Sequence, residues 1–125
     1  MRIISIIAIF CAVHAVYYPA TSPLFTYSGR RYTVKESIAY DWPCFRIAFC
    51  FKDSTQVTWH IEDTWNIYNI SLDGNQSKRI EPKKNTTIEI FSSNQPSSHC
   101  IEIFKITENH YGPLGSHTDS LFRGV

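Results

Sequence analysis

Phe45-Arg46-Ile47-Ala48-Phe49-Cys50-Phe51 alternates without a break: aromatic or branched apolar side chains stand at 45, 47, 49 and 51, with Arg46, Ala48 and Cys50 between them. Successive side chains of an extended chain point to opposite faces, so a period of two describes a strand with one face in a core. Residues 56–62 repeat the pattern, with Val57, Trp59 and Ile61 inward and Gln56, Thr58, His60 and Glu62 outward. In 66–72, Tyr68, Ile70 and Leu72 point inward, while Asn66, Asn69 and Ser71 take loop or outer positions. Asp73-Gly74 closes that strand, because both residues tolerate the positive φ of a tight hairpin turn.

Weaker strands follow at 77–81 and at 86–91, where Ile88 and Ile90 face inward, and a polar loop over 92–98 leads into a strand at 99–107. On the N-terminal side a strand is expected over 31–39, and a short last one near 120–122. Helical periodicity is almost absent, and aromatics at 14% favour strands. Eight or nine strands without crossover helices predict an all-β fold, an antiparallel two-sheet sandwich of the jelly-roll type. The strand at 99–107 differs from the rest. Ile101 and Ile103 alternate against Cys100 and Glu102, but Phe104 and Ile106 make the second face apolar too. Such a strand expects cover on both sides, from a loop folded over it or from another domain docked on Phe104 and Ile106.

The first residues read as a targeting segment rather than as structure. Arg2 precedes an apolar run over 3–12, and Val13-His14-Ala15 offers small residues at both positions a signal peptidase reads. Residues 1–15 are therefore expected to be a signal peptide, 16–24 a lead-in, and 25–125 one sandwich domain; 125 residues leave room for one core. The run is too short to span a bilayer, so no membrane association is expected after cleavage. Sequons at Asn69, Asn75 and Asn85 fit a secreted, extracellular glycoprotein.

Without residues 1–15 the 12 basic side chains fall to 11, equal to the 11 acidic ones, which leaves no basic stripe for nucleic acid. Lys83-Lys84, beside Lys78-Arg79, reads as a solvated turn. Of 4 cysteines, Cys11 leaves with the signal peptide. Cys44, Cys50 and Cys100 then give one bridge and one free thiol in an oxidising compartment. Cys50 and Cys100 both lie on outer strand faces and form the preferred pair; Cys44–Cys100 is the alternative.

No catalytic centre is assembled by the sequence. Gly115-Ser116-His117 places a serine and a histidine side by side, not in the nucleophile–base geometry that a fold creates. His60 and Glu62 share a strand face directed at solvent, with His99 and His110 elsewhere, so neither a metal nor another cofactor is expected. Exposed aromatics are the usual platforms for sugars. Trp59 belongs to the core by alternation; Trp65, in the turn 63–66, and Tyr111 are the carbohydrate-binding candidates, with Tyr17 and Tyr18 also open.

Several landmarks fall in a family's order: Tyr27-Ser28-Gly29-Arg30, Tyr40-Asp41-Trp42-Pro43 leading into 45–51, Val57-Thr58-Trp59, Tyr68-Asn69-Ile70-Ser71-Leu72-Asp73-Gly74, and His99 through Lys105-Ile106-Thr107-Glu108 with Gly112 following. The set resembles the N-terminal jelly-roll domain of family 2 carbohydrate esterases, acetyl-xylan-esterase-like members of the SGNH hydrolases, from about residue 25 onward. Trp-Pro, Leu-Asp-Gly and Lys-x-Thr-Glu carry most of the likeness. Cys44-Phe45 stands where that family shows Gly-Ser or Gly-Thr. In that family the catalytic domain, with its Gly-Asp-Ser nucleophile, follows this one, so its catalytic residues have no positions here. The resemblance implies a non-catalytic accessory domain of a secreted carbohydrate-esterase-like protein, partnered by an SGNH esterase domain or a polysaccharide. A free-standing secreted carbohydrate-binding or extracellular interaction protein is the alternative.

Overall fold

A computed structural model describes residues 16–64, 66–107 and 120–125. Among them the chain forms eight strands and no helix: β1 (Thr26–Ser28), β2 (Tyr32–Val34), β3 (Ser37–Tyr40), β4 (Arg46–Thr64), β5 (Tyr68–Leu72), β6 (Asn75–Ile80), β7 (Lys83–Lys105) and β8 (Ser120–Gly124). All pairings are antiparallel, in the order β2-β3-β8-β4-β7-β5-β6, with β1 added to β4.

Two long strands generate the sandwich. β4 and β7 pair from Arg46↔Phe104 to Thr64↔Lys83, with register shifts between Phe51 and Thr58. Bulges of this kind bend a strand and increase its twist. Asp53 sits at the bend with φ 50. Before the bend, β4 carries β1 on its outer edge, and the facing part of β7 carries β5 and then β6. Beyond it, β4 carries β8, β3 and β2. The same two strands thus contribute to both layers.

The core is the meeting of the inward faces. Ile47, Phe49, Ile101 and Ile103 from one layer and Val57, Trp59, Ile61, Ile38 and Phe122 from the other belong to one buried cluster. Ring contacts cross between layers: Phe25 meets Phe49 at 5.3 Å and Phe122 at 5.0 Å, and Trp59 meets Tyr68 at 5.0 Å, all edge to face. Each such ring contributes roughly 1.5–3 kcal/mol through burial. Residues 18–20 lie along the end of β8, where Tyr18 and Val125 exchange backbone hydrogen bonds of 2.8 and 3.0 Å. Ala20 reaches the core.

Four expectations about elements change. The strands at 45–51 and 56–62 are one strand. The expected loop at 92–98 is continuous strand within β7, an exposed outer side of the bend that needs no apolar face. The expected strand over 31–39 is the β2–β3 hairpin, turned at Lys35 with φ 56. Lys78-Arg79 and Lys83-Lys84 lie on strands β6 and β7, not in a turn.

Candidate functional site

The chain leaves β1 through Gly29, whose φ of 113 favours glycine. A Cβ there would approach Phe45 Cα at 3.3 Å. This turn delivers Arg30 and Arg31 to the β2–β3 hairpin. On the other side, the turn over 41–44 is tied down at its base. Cys44 N–H donates to the Lys105 carbonyl at 2.8 Å, Lys105 N–H donates to the Phe45 carbonyl at 2.9 Å, and Lys105 Nζ donates to the Asp41 carbonyl at 3.0 Å. Lys105 is fully buried, so its ammonium depends on such oxygens in place of water; it also donates to the Thr107 carbonyl. Cys44 carries φ 67, a left-handed conformation that suits glycine.

Between hairpin and turn lies a cleft of about 240 Å³ lined by Arg30, Arg31, Tyr32, Asp41 and Trp42, with Ala39 and Tyr40 beneath. Trp42 is 49% exposed and Tyr32 55%. The Arg30 guanidinium stands 5.8 Å from the Trp42 ring centroid, and that of Arg31 5.3 Å from Tyr27. Arg31 also donates to the Gly29 carbonyl at 2.9 Å. Tyr40, which lines the cleft, stacks on Phe45 at 4.1 Å, and Phe45 stacks on Tyr27 at 6.0 Å.

Below that stack runs a buried polar network. Tyr40 and Tyr68 share a hydroxyl–hydroxyl bond of 2.8 Å, and Tyr68 donates to Asp63 Oδ2. Asn66 Nδ2 donates to Asp63 Oδ1 at 2.7 Å and to Ser120 at 3.3 Å, while Asn66 Oδ1 accepts from Thr107 at 2.8 Å. Burial, reinforced at each phenol by the Asp63 charge, holds the pKa of Tyr40 and Tyr68 well above 10. Both phenols therefore stay protonated. The network has the composition of a structural clamp joining β3, β4, β5 and β8. Asn66, expected in a loop or outer position, is in a loop but buried, because it bridges Asp63, Ser120 and Thr107.

The outer face of β4, β7 and β5 forms a second surface. Cys50 and Cys100 are cross-strand partners with Cα atoms 4.0 Å apart and are bridged, while Cys44 is free and exposed. The hairpin turn has Asp73 at φ 50 and Gly74 at φ 85, as its sequence demands. Asp73 accepts from Cys100 N–H at 2.8 Å and meets His99 Nδ1 at 2.5 Å. These contacts, the backbone donor foremost, lower the Asp73 pKa below 3.8. A shallow groove of about 330 Å³ runs beside them, lined by Arg46, Ala48, Ser71 and Glu102. Phe104 is half-buried on this face, with the Arg46 guanidinium 5.5 Å from its ring; Arg46 in turn pairs with Glu102 at 3.1 Å. Asn69 is the direct neighbour of Phe104 across the β5–β7 ladder.

Other sequence candidates are dispersed. His60 and Glu62 lie on the outer face of β4, but Glu62 pairs with Arg123 at 2.7 Å and His60 packs against Tyr17 at 5.2 Å. Among the described residues no three His, Cys, Asp or Glu side chains come together as a metal site. Trp59 is in the core, and Tyr17 and Tyr18 are exposed. Asn75 is exposed, Asn69 is half-buried with Oδ1 accepting from Gln76, and Ile106 is half-buried. Trp65, Tyr111, His110, the 115–117 segment and residues 1–15 lie outside the described residues, as does the side chain of Asn85. Sequence reading missed Trp42, Arg30 and Arg31. The available signal was a tryptophan held before a proline, where the strand alternation stops and a large ring has no inward slot.

The family model described as Carbohydrate esterase 2 N-terminal matches residues 27–118. The chain belongs to the carbohydrate esterase 2 N-terminal family. Three solved structures share the fold of this family 2 domain. A family two carbohydrate esterase from Cellvibrio japonicus aligns with a TM-score of 0.68 at 14% identity, over 88% of this chain and 33% of that one. One from Clostridium thermocellum, in complex with cellohexaose, gives 0.64 at 18% identity over 79% and 29%. An acetyl xylan esterase from the rumen bacterium Butyrivibrio proteoclasticus gives 0.71 at 11% identity over 87% and 31%. At these identities the likeness is one of fold. The chain spans about a third of the length of each enzyme. No curated protein sequence matches it.

Proposed function

We propose that this chain is the non-catalytic accessory domain of a secreted carbohydrate-esterase-like protein, whose SGNH catalytic domain lies outside the 125 residues. The observation that supports this most is the alignment of most of the chain with about a third of each family 2 esterase. Residues 1–15 act as the signal peptide in this reading, and the Cys50–Cys100 bridge suits an oxidising compartment.

The catalytic domain docks on the outer face that bears Phe104 and Ile106. The pairing register adds a constraint to this reading. Asn69 stands beside Phe104, so a glycan at Asn69 and a docked domain exclude each other. Asn75, exposed at the start of β6, and Asn85 are the sequons compatible with docking; the exposure of Asn75 favours its use. The test is Phe104→Ser with Ile106→Thr in the full chain. Docking predicts higher solubility and a melting temperature close to that of the parent, since no core contact is lost. A fall of several kcal/mol in stability, or glycan occupancy at Asn69, refutes the docking face.

A further inference from the structure

We propose that the cleft between the β2–β3 hairpin and the 41–44 turn binds a carboxylate-bearing pyranose, a hexuronate or a sialate. This goes beyond the accessory-domain reading and does not depend on a catalytic domain. The charge argument comes first. Neither Arg30 nor Arg31 forms an ion pair with a carboxylate among the described residues, and Arg30 makes no hydrogen bond to them. Arg31 uses one donor on the Gly29 carbonyl and keeps the rest of its fork. Both arginines line the one cleft, so it carries positive charge, and an arginine fork suits the oxygens of a carboxylate, which it binds in bidentate fashion.

The remaining lining selects a sugar over a bare anion. The indole of Trp42 is about half open, offering a flat apolar surface that suits the C–H face of a pyranose. Asp41 lines the same cleft. The volume, about 240 Å³, falls below that of drug-sized pockets, roughly 300–1,000 Å³, and suits a single saccharide unit at a chain end or branch. Preorganisation comes from beneath. The Lys105 ammonium holds the Asp41 carbonyl, Phe45 stacks on Tyr40 of the lining, and Gly29 fixes the path into the two arginines. A site held this way loses little on ligand binding to ordering its own loops.

The experiment is an NMR titration of the ¹⁵N-labelled full chain with D-glucuronate, D-galacturonate, N-acetylneuraminate and, as a neutral control, D-glucose. The Trp42 indole N–H and the Arg30 and Arg31 Nε–H resonances should move with at least one acid and stay still with glucose; the hexuronate and sialate arms then identify the class. Arg30→Gln and Arg31→Gln should each weaken binding about tenfold, as loss of a charge-assisted contact does. Both side chains are exposed, so the rest of the spectrum should superpose on that of the parent. The proposal is overturned by equal shifts with glucose, or by no shift with any acid at ~20 mM, well above a millimolar dissociation constant. It is also overturned if the double Arg30→Gln, Arg31→Gln variant binds as the parent does.

Discussion

Cys44→Gly should make this protein more stable, although it removes a side chain. Cys44 holds φ 67, and the turn cannot relax, because its N–H is bonded to the Lys105 carbonyl at 2.8 Å while Lys105 itself is buried in the sandwich. A residue with a Cβ in the left-handed region costs roughly 1–2 kcal/mol. Glycine escapes that cost but gives back about 0.5–1 kcal/mol through the larger entropy of its unfolded chain. The Cys44 side chain is exposed and unbridged, so no packing or cross-link is lost. The net gain is about 0.5–1 kcal/mol, a rise in Tm of roughly 2–5 °C for a chain of this size. Thermal unfolding followed by circular dichroism, under conditions that prevent thiol oxidation, reads the shift. Cys44→Ala is the control, since it removes the thiol but keeps the Cβ. A Gly variant no more stable than the Ala variant would show that the backbone at 44 carries no strain.

Tyr68→Phe removes the hydroxyl that bridges Tyr40 and Asp63 in the interior, leaving a buried carboxylate one donor short. A loss of about 2–4 kcal/mol is expected by urea denaturation, and a loss under ~0.5 kcal/mol would mean that Asp63 does not rely on it. Asp73 is exposed, and its folded pKa lies below 3.8, so its stabilising contribution is present above that pH and lost as pH falls through the lower, folded value. The Tm difference between the parent and Asp73→Asn should therefore shrink as the pH is taken down through the acid range below 3.8; a difference that grows with acid contradicts the assignment. The full chain should release no acetate from acetylated xylan above the buffer blank, because no nucleophile–base pair is recognisable in its sequence. Turnover abolished by Ser116→Ala would refute that.

Much of the fold was readable because the signal is local. The alternation at 45–51 fixes which side chains of β4 face the core, and it also placed Cys50 and Cys100 on the outer side where they meet. What escaped is non-local. Residues 52–55 and 92–98 look like loops since they lack apolar alternation, yet they lie at the bend where β4 and β7 pass from one layer to the other, and little there needs burying. Lys35 turns a hairpin without glycine, proline or asparagine, so a sequence rule for turns passes over it. The site was less legible still. Asn66 looked like a loop polar residue because its partners, Ser120 and Thr107, lie 54 and 41 positions away. Trp42 is a family landmark in the sequence, but its company with Arg30 and Arg31 exists only once β1, the hairpin and the anchored turn are folded together.

The size of the mature protein in its source organism bears most directly on the accessory-domain account. An antibody raised against the full chain, used on cells and culture medium, should detect a secreted species of about three times the chain's mass, as expected if the chain is about 31% of an esterase-like polypeptide. Peptide sequencing of that species should place these residues ahead of a Gly-Asp-Ser segment. A single species of the chain's own mass, secreted without any further domain, would contradict the account.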